Sequence, residues 1–586
     1  MDRSVILALN DSTRYYLTSY LITTTDRSRW PNSGHLVFIG TFCLPDDSDS
    51  LLDKYTYEIA ETSVSSDDKL RCFQSSLTAN TRLSARLGIA LNHAHQLNKS
   101  DRYWKILTGI WLRLFIDLLV SRIFTITALR ATHPNLQLVS ADESIIRRTP
   151  FSTADFHTLT KFTEWNSLIY SDLWDFAGIQ LTSAILSHQR IVSVKPELEL
   201  SKLSGFVLSA TYLPRIQEVL LQLRLGTKPR RLQVIAAPEA TVNSKARQQL
   251  ALDDSGSSEI EQILIKFLRT YLPTSFLEGF SDLRKSTHLM RFPNNPKAIF
   301  TSNRHIYDDV FNVWVADVTE HGSRLILGQH GGHYGISRFP SFAERHECDI
   351  ADTYLTWGAS SCRNATPAII LTVLGKRRPV RKGSKLVLIT DHLWSQKRSQ
   401  FIDSDQTSDY TNHINDVVNS LPAGICSQLI IRTHHGQNET GRPIVDESRV
   451  KNLGVTIDDG GTAYSRILRK SRIVVVAHNG TTFPETLSLG VPTLITWTSN
   501  WVEIREEAKP IFAKLAEVGI FHEDPVSLAK HVSVIWDNVD AWWESKEVVE
   551  ARELFCSQYA RSVPHPRKFL REIIVGKSTI GRQGDL

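Results

Sequence analysis

Five polar side chains follow short β-branched runs in the last third of the chain: Arg432, His434, Asp458, His478 and Thr481. Arginine presents a fork of donors matched to phosphate, imidazole adds a donor that can carry charge, and a helix start contributes unpaired N–H groups and a partial positive charge. The stretch 473–497 holds the densest part of this pattern. Its apolar run 474–476 ends at His478, Asn479 and Gly480, and Thr481 and Thr482 then open a helix closed by Gly490. Thr482 and Glu485 have the S/T-x-x-E spacing of a capping box, while Glu485 could equally accept from ribose hydroxyls. Asp391 ends the run 386–389 in the same way. A nucleotide phosphate is the ligand this set of residues favours.

A second constellation, Gln329-His330-Gly331-Gly332-His333, follows the run 324–328. Adjacent glycines straight after a buried strand let the backbone take positive φ or approach a ligand closely. Either histidine alone reads as a loop residue satisfied by water. Two of them, beside a glutamine and Gly-Gly at a strand end, mark a site.

Residues so far apart in sequence meet only if their strands are neighbours. From 296 onward strand and helix alternate: strands at 298–302, 324–328, 386–389, 428–431 and 455–457, helices at 306–320, 408–421 and 462–469. That alternation predicts an α/β fold of parallel sheets with helices on both faces, whose ligands bind beyond the carboxyl ends of the strands. Earlier residues read differently. A strand at 20–24 runs into Thr24, Thr25 and Asp26, a second apolar segment spans 35–44, and 45–69 is a Ser- and Asp-rich surface insertion. Helices dominate 72–130 and 152–187, followed by a helix at 206–224 and a strand at 230–238. The expected units are 1–345, with a helical insertion at about 72–225 and a connection at 339–345; 346–530; and terminal helices at 531–586, whose packing against the first unit is left open.

A chain of 586 residues accommodates two to four domains. Its net charge of +5 is small for that length and does not argue for nucleic acid; a mildly basic face toward a nucleotide or anionic lipid is the most it supports. The six cysteines form no C-x-x-C pair and no zinc spacing, and read as reduced, buried thiols of a cytoplasmic protein. Residues 1–11 lack the apolar core and cleavage site of a signal peptide, so a location in the cytoplasm, or at the inner face of the membrane, is expected. The most hydrophobic window, 104–128, contains Lys105, Arg113, Asp117 and Arg122, too many charges for a membrane span. Its apolar residues Leu107, Ile110, Trp111, Leu114, Phe115, Leu118 and Leu119 recur at three and four, as in an amphipathic helix packed on a core. No G-x-G-x-x-G follows the first strand and no G-x-x-x-x-G-K-[ST] occurs, which disfavours hydride transfer and ATP hydrolysis.

Two Rossmann-like halves, with Q-H-G-G closing the first and R-T-H-H plus H-N-G-T-T-F-P-E-T-L-S-L-G-V-P-T in the second, resemble GT-B glycosyltransferases of bacterial surface-carbohydrate (capsule and lipopolysaccharide) synthesis. More narrowly, the segments LITTTDRSRWP, RYWKILTGIWLRLFID and GQHGGHYG resemble a family of surface-carbohydrate transferases related to capsule polysaccharide enzymes. The C-terminal half is also similar to transferases that use CMP-linked ulosonic acids. Arg432, Thr433 and His434 match their basic-x-His-Pro motif, with His435 in place of the proline, and Thr481 and Thr482 match their Ser/Thr pair. The resemblance implies two doubly wound domains facing a central cleft, with large helical insertions in the N-terminal half. The acceptor would lie on that half, near Thr24, Thr25, Gln329, Gly331, Gly332 and His333, and the nucleotide-sugar donor on the C-terminal half.

Transfer then needs a base for the acceptor hydroxyl, or a carboxylate nucleophile. Candidates are Asp26, preferred for its place at a strand end, Asp308 and Asp309, and Glu344, with His330 as the runner-up. Acids at such positions more often cap helices. No metal and no cofactor is expected, as is usual for the resembled fold. The expected activity is transfer of a sugar, preferably an ulosonic acid from a CMP donor, to a surface glycan or glycolipid. The alternatives are a CDP-glycerol or CDP-ribitol type of polyol-phosphate transfer and a non-catalytic nucleotide-sugar-binding protein.

Overall fold

The computed structural model describes residues 18–40, 43–44, 55–60, 66–144, 147–176, 205–229, 233–290, 292–379, 383–391, 406–434, 444–445, 450, 452–499 and 501–577. Its strands form three sheets, and every pairing within them is parallel. The first contains β1 (Ser19–Ile22), β2 (His35–Phe38), β3 (Thr56–Ile59) and β4 (Gln137–Val139), in the order β3-β2-β1-β4. The second runs β5-β6-β7-β8-β9, from β5 (Phe206–Leu208), β6 (Ala298–Thr301), β7 (Arg324–Gly328), β8 (Thr353–Thr356) and β9 (Ala365–Pro367). The third contains β10 (Lys385–Ile389), β11 (Leu429–Arg432), β12 (Thr456–Asp458), β13 (Ser471–Val476), β14 (Thr493–Thr496) and β15 (Phe521–His522), in the order β12-β11-β10-β13-β14-β15.

The α/β class and the two parallel-sheet halves of a GT-B-like arrangement are therefore present, with differences in detail. The N-terminal half carries two sheets rather than one. The handover expected at 345 lies later, because β8 and β9 extend the sheet of β7 and the third sheet begins only at Lys385. Residues 206–208, read as the start of a helix, pair with β6, and the helix is confined to Arg215–Arg224. No strand forms over 233–238; residues 230–232 and 177–187, and His435, lie outside the described residues.

Two long helices, α1 (Ser66–His95) and α2 (Asp101–Thr132), weld the first two sheets into one core. The amphipathic pattern expected for α2 understates its burial: Trp104, Trp111 and Phe115 are buried, and so are Arg113, Asp117 and Arg122. The charges are tolerated because they are paired. Arg113 binds Asp349, Asp117 binds Arg345, and the Arg122 guanidinium lies over the Tyr170 ring. Among the described residues no helix is long and apolar enough to cross a membrane.

In the third sheet the Val and Ile runs are buried on both faces, each such side chain stabilising the fold by about 1.5–3 kcal/mol. Helices Pro525–Ile535 and Lys546–Tyr559 cover this sheet, whereas Pro566–Val575 returns to the second one. There Leu570, Ile573 and Ile574 join Leu208, Phe300 and Ile326, and the Arg324 guanidinium donates to the carbonyls of Ile573 and Ile574.

The expectation of six reduced thiols is not met. Cys348 and Cys362 form a disulfide, because the chain turns back between β8 and β9 and brings their Cα atoms to 5.6 Å. Cys43, Cys72, Cys426 and Cys556 are free. The cysteine argument for a reducing compartment therefore fails for this pair.

Candidate functional site

Parallel register sets the rim of the third sheet. Ile389 stands level with Arg432 and Val476, and Arg432 with Asp458. Thr390, Thr433 and Ala477 continue the ladder by donating to the carbonyls of Arg432, Asp458 and Ile389. The next residues, Asp391, His434 and His478, consequently leave the sheet at one end. Their charges interact: burial lowers the His478 pKa, the nearby Asp391 raises it and His434 lowers it further. His478 Nδ1 accepts from the Gly480 N–H at 2.9 Å, so the ring proton sits on Nε2, which is left as a donor.

Arg432 differs from expectation. Its Nη1 donates to Asp458 Oδ2 at 2.5 Å and to the Thr462 carbonyl at 2.8 Å, and its Nη2 to the Gly460 carbonyl at 3.2 Å. The guanidinium thus fastens the loop after β12 and does not present an open fork. The expected capping box is also absent. Thr481 precedes helix Thr482–Ser488 without a side-chain cap bond, and Glu485 instead accepts from the Thr372 hydroxyl at 2.5 Å. Burial pushes the Glu485 carboxyl up.

Across from this rim, β7 is followed by Gln329, which is buried and bolts two strand ends together. Its Nε2 donates to the Gly331 carbonyl at 2.8 Å, and its Oε1 accepts from the Trp357 N–H at 2.7 Å. Gln329 therefore shapes the loop and is not free to meet an acceptor. His330 is the chemically available member, with 17% of its side chain exposed. Its Nδ1 lies 3.2 Å from Glu347 Oε1 and its Nε2 3.2 Å from Tyr334 Oη. Glu347 is wholly buried in helix Phe342–Ile350 and also meets His305 Nε2 at 3.0 Å. Burial pushes its carboxyl up, but the charge of His330 and the hydrogen bond and charge of His305 outweigh this and hold its pKa below the ordinary value. A histidine at ion-pair distance from a buried carboxylate can accept a proton from a hydroxyl, with the carboxylate stabilising the resulting imidazolium.

His333 is pushed down to about 4 by desolvation, with the charge on His330 acting in the same direction, and is neutral at neutral pH. Glu344 Oε1 accepts from the Gly335 N–H at 3.1 Å and lies 3.8 Å from Arg505 of the second half; burial pushes the carboxyl up to about 7. Buried atoms here lack hydrogen-bond partners: Glu344 Oε2, Glu347 Oε2, His305 Nδ1, His346 Nε2 and His330 Nδ1 itself, which faces Glu347 at ion-pair distance without hydrogen-bond alignment. Such clustering is uncommon in a structural core and frequent where chemistry or ordered water resides.

The two loops touch. Asn479 donates to Ser337 Oγ at 2.9 Å, Arg505 Nη2 to the Ser337 carbonyl at 3.0 Å, and Ser337 pairs with Ile504 in an antiparallel bridge. Gly331 and Gly332 do not take positive φ; Gly332 is needed because its backbone meets Gly480 of the other half. A cavity of about 720 Å³ opens beside this junction, between Ser66, Lys69 and Arg338 on one side and Glu503, Lys509 and Phe512 on the other.

Five expected residues lie elsewhere. Thr24 and Thr25 donate to Glu164 at 2.6 and 2.7 Å, which ties β1 to helix Thr163–Trp174. Asp26 is exposed and caps the short turn Arg27–Arg29 by accepting from the Ser28 N–H at 3.0 Å, so the first sheet gives it a local role and its geometry does not suit a catalytic base. Asp309 is buried. It accepts from the Thr153 N–H at 2.9 Å and the Ser275 hydroxyl at 3.1 Å, and desolvation pushes it up to about 6; an acceptor could not reach it. Asp308 caps helix Asp309–Glu320 and pairs with Arg304 at 2.8 Å. Conversely, sequence reasoning missed Glu347, His305, Tyr334 and Arg505. His305 follows β6 closely, so the strand-end rule that selected the others also points to it. Glu347 offers no such signal, being one acid within a short helix.

The chain matches the LIC12162 family of transferases over residues 19–574, nearly its whole length, and belongs to that family. It is therefore a transferase. No curated protein matches its sequence. Among solved structures it is similar to MurG of Acinetobacter baumannii, at 12% identity over 64% of this chain and 100% of that one, with a TM-score of 0.33. A glycotransferase of kitacinnamycin gives 13% identity over 64% and 99%, with a TM-score of 0.33. WaaG, a glycosyltransferase involved in lipopolysaccharide biosynthesis, gives 10% over 64% and 100%, with a TM-score of 0.27. Likeness at that level does not bear on this chain's reaction.

Proposed function

We propose that this transferase moves a sugar from a nucleotide donor to a glycan or glycolipid hydroxyl. The reading rests on one observation: the rim of Asp391, His434 and His478 stands against the His330–Glu347 pair, across loops in direct backbone contact. In this reading His434, His478 and Thr481 hold the donor phosphate, with His478 Nε2–H as a donor and Asp391 favouring a charged His478. His330 takes the acceptor proton while the acceptor oxygen bonds to the anomeric carbon. The carbon–oxygen bond to the phosphate breaks, and the nucleotide leaves with that electron pair. Glu347 is a positioning residue that favours the imidazolium. His330 replaces Asp26 as the preferred base, since Asp26 is engaged in a surface turn.

A CMP-linked ulosonic acid is the preferred donor, on the resemblance of Arg432-Thr433-His434 and Thr481-Thr482 described above. Titrating the protein with CMP, CDP and UDP ranks the nucleotides; tightest binding of CDP would favour polyol-phosphate transfer. Transfer from a sugar nucleotide to a glycolipid acceptor, lost in His330→Ala with nucleotide binding intact, is the expected result. Binding without turnover under any donor–acceptor pair would leave a nucleotide-sugar-binding protein.

A further inference from the structure

Helix Arg215–Arg224 exposes an apolar stripe: Ile216 is 73%, Val219 36% and Leu223 57% exposed. At about 100° per residue these three fall on one face, at helical positions i, i+3 and i+7, while Leu221 on the opposite side joins the core. Gln217 and Arg224 occupy the flank between the stripe and a cavity of about 770 Å³. That cavity is lined by Arg224, His565, Arg567, Lys568 and Arg571, with no acidic residue. The helices that frame it, Arg215–Arg224 and Pro566–Val575, carry Arg215, Arg224, Arg567, Lys568 and Arg571 against only Glu218 and Glu572. Glu218 is occupied by the Thr211 hydroxyl. Arg571 Nε donates to the Arg224 carbonyl at 2.9 Å, which fixes the returning helix against the apolar one, and Lys376 and Arg377 follow the cavity residue Gly375.

We propose that this face docks the protein on a membrane surface of anionic phospholipid, with the stripe entering the headgroup–acyl boundary and the basic cavity receiving lipid phosphate. The charge of the cavity selects the occupant. An apolar stripe alone would suit a protein partner as well, but a stripe bordered by five cations and a roomy cavity matches apolar chains beneath a sheet of phosphates. The docking helix lies on the second sheet, the one that also carries His330 at the end of β7, so a lipid-linked acceptor would be presented to the half that holds the proposed base.

The test is flotation of the full chain with phosphatidylcholine vesicles, with and without phosphatidylglycerol. Binding should require phosphatidylglycerol and weaken with added salt. Arg567→Gln and Lys568→Gln should each lower the partition coefficient about fivefold, and Leu223→Ser about tenfold. The melting midpoints should hold, since the replaced side chains stand at the surface. Failure to float with anionic vesicles would overturn the proposal, as would flotation indifferent to all three substitutions. Binding of inorganic phosphate without flotation would reassign the cavity to a free anion. A dimer abolished by Leu223→Ser would reassign the stripe to a second copy of the chain.

Discussion

Gly332 and Gly480 meet backbone to backbone: a Cβ on Gly332 would lie 2.0 Å from the Gly480 carbonyl oxygen. Because the obstacle is main chain, Gly332→Ala cannot be relieved by a rotamer change and must push the two loops apart. It should destabilise the protein by about 1–3 kcal/mol and reduce transfer well beyond that of the folded fraction. Gly331→Ala meets the His333 and Tyr334 side chains rather than main chain and should be milder. Denaturant midpoints measured beside turnover separate the effects; equal behaviour of the two variants would contradict the close approach.

Glu347→Gln keeps the shape of the buried residue but removes the charge facing His330 and His305. The proton on His330 would then form without a counter-charge, and kcat should drop about 10²–10⁴-fold while the nucleotide Kd is unchanged. An undiminished kcat would remove Glu347 from that supporting role.

Burial moves the Glu344 carboxyl from 4.5 to about 7, so the folded state binds its proton more tightly than the unfolded chain does. The stability this group contributes is full below pH 4.5 and is lost as pH rises through about 7. His333 acts oppositely: with its pKa lowered from 6.5 to about 4, it contributes above 6.5 and loses that contribution as pH falls through 4. Glu344→Gln isolates the first effect. Between pH 5 and pH 8 the native chain should lose about 1–3 kcal/mol more than the variant, as read by urea denaturation; parallel curves would reject a protonated Glu344.

Arg432→Ala should act chiefly on stability. It strands Asp458, which is 9% exposed, and releases two carbonyls, a loss of about 3–5 kcal/mol by analogy with broken buried pairs. Arg432→Lys should rescue little, because one ammonium cannot span the three acceptors. Weaker nucleotide binding at unchanged stability would instead restore the phosphate role.

The second half was legible because its strands are β-branched runs ending in polar residues, and a parallel sheet needs no more than that to set its rim: Asp391, His434 and His478 came together as the pattern required. The first half was less so. Its strands β4 and β5 are three residues long, too short for periodicity, and β8 and β9 follow the supposed connection. Nor does sequence reveal which polar group a neighbour has already engaged. Arg432, Gln329 and Glu485 have suitable types and positions, yet Asp458, Trp357 and Thr372 occupy them. The choice between Asp26 and His330 turned on the same kind of fact, a buried Glu347 invisible to spacing.

His478 offers the most direct probe of the rim. Its Nδ1 holds the Gly480 N–H, and the loop so formed touches Gly332, so the ring both shapes the junction and leaves Nε2–H as a donor. His478→Ala removes both functions, whereas His478→Asn can still accept from Gly480 through its amide oxygen. The alanine variant should weaken nucleotide binding and lower the melting midpoint. The asparagine variant should recover most of the stability but remain short by about 0.5–1.5 kcal/mol in nucleotide binding, the net value of one hydrogen bond. Calorimetric titration of both variants with CMP distinguishes the two functions: if asparagine restores affinity in full, His478 serves the loop alone, and phosphate recognition falls to the remaining rim residues.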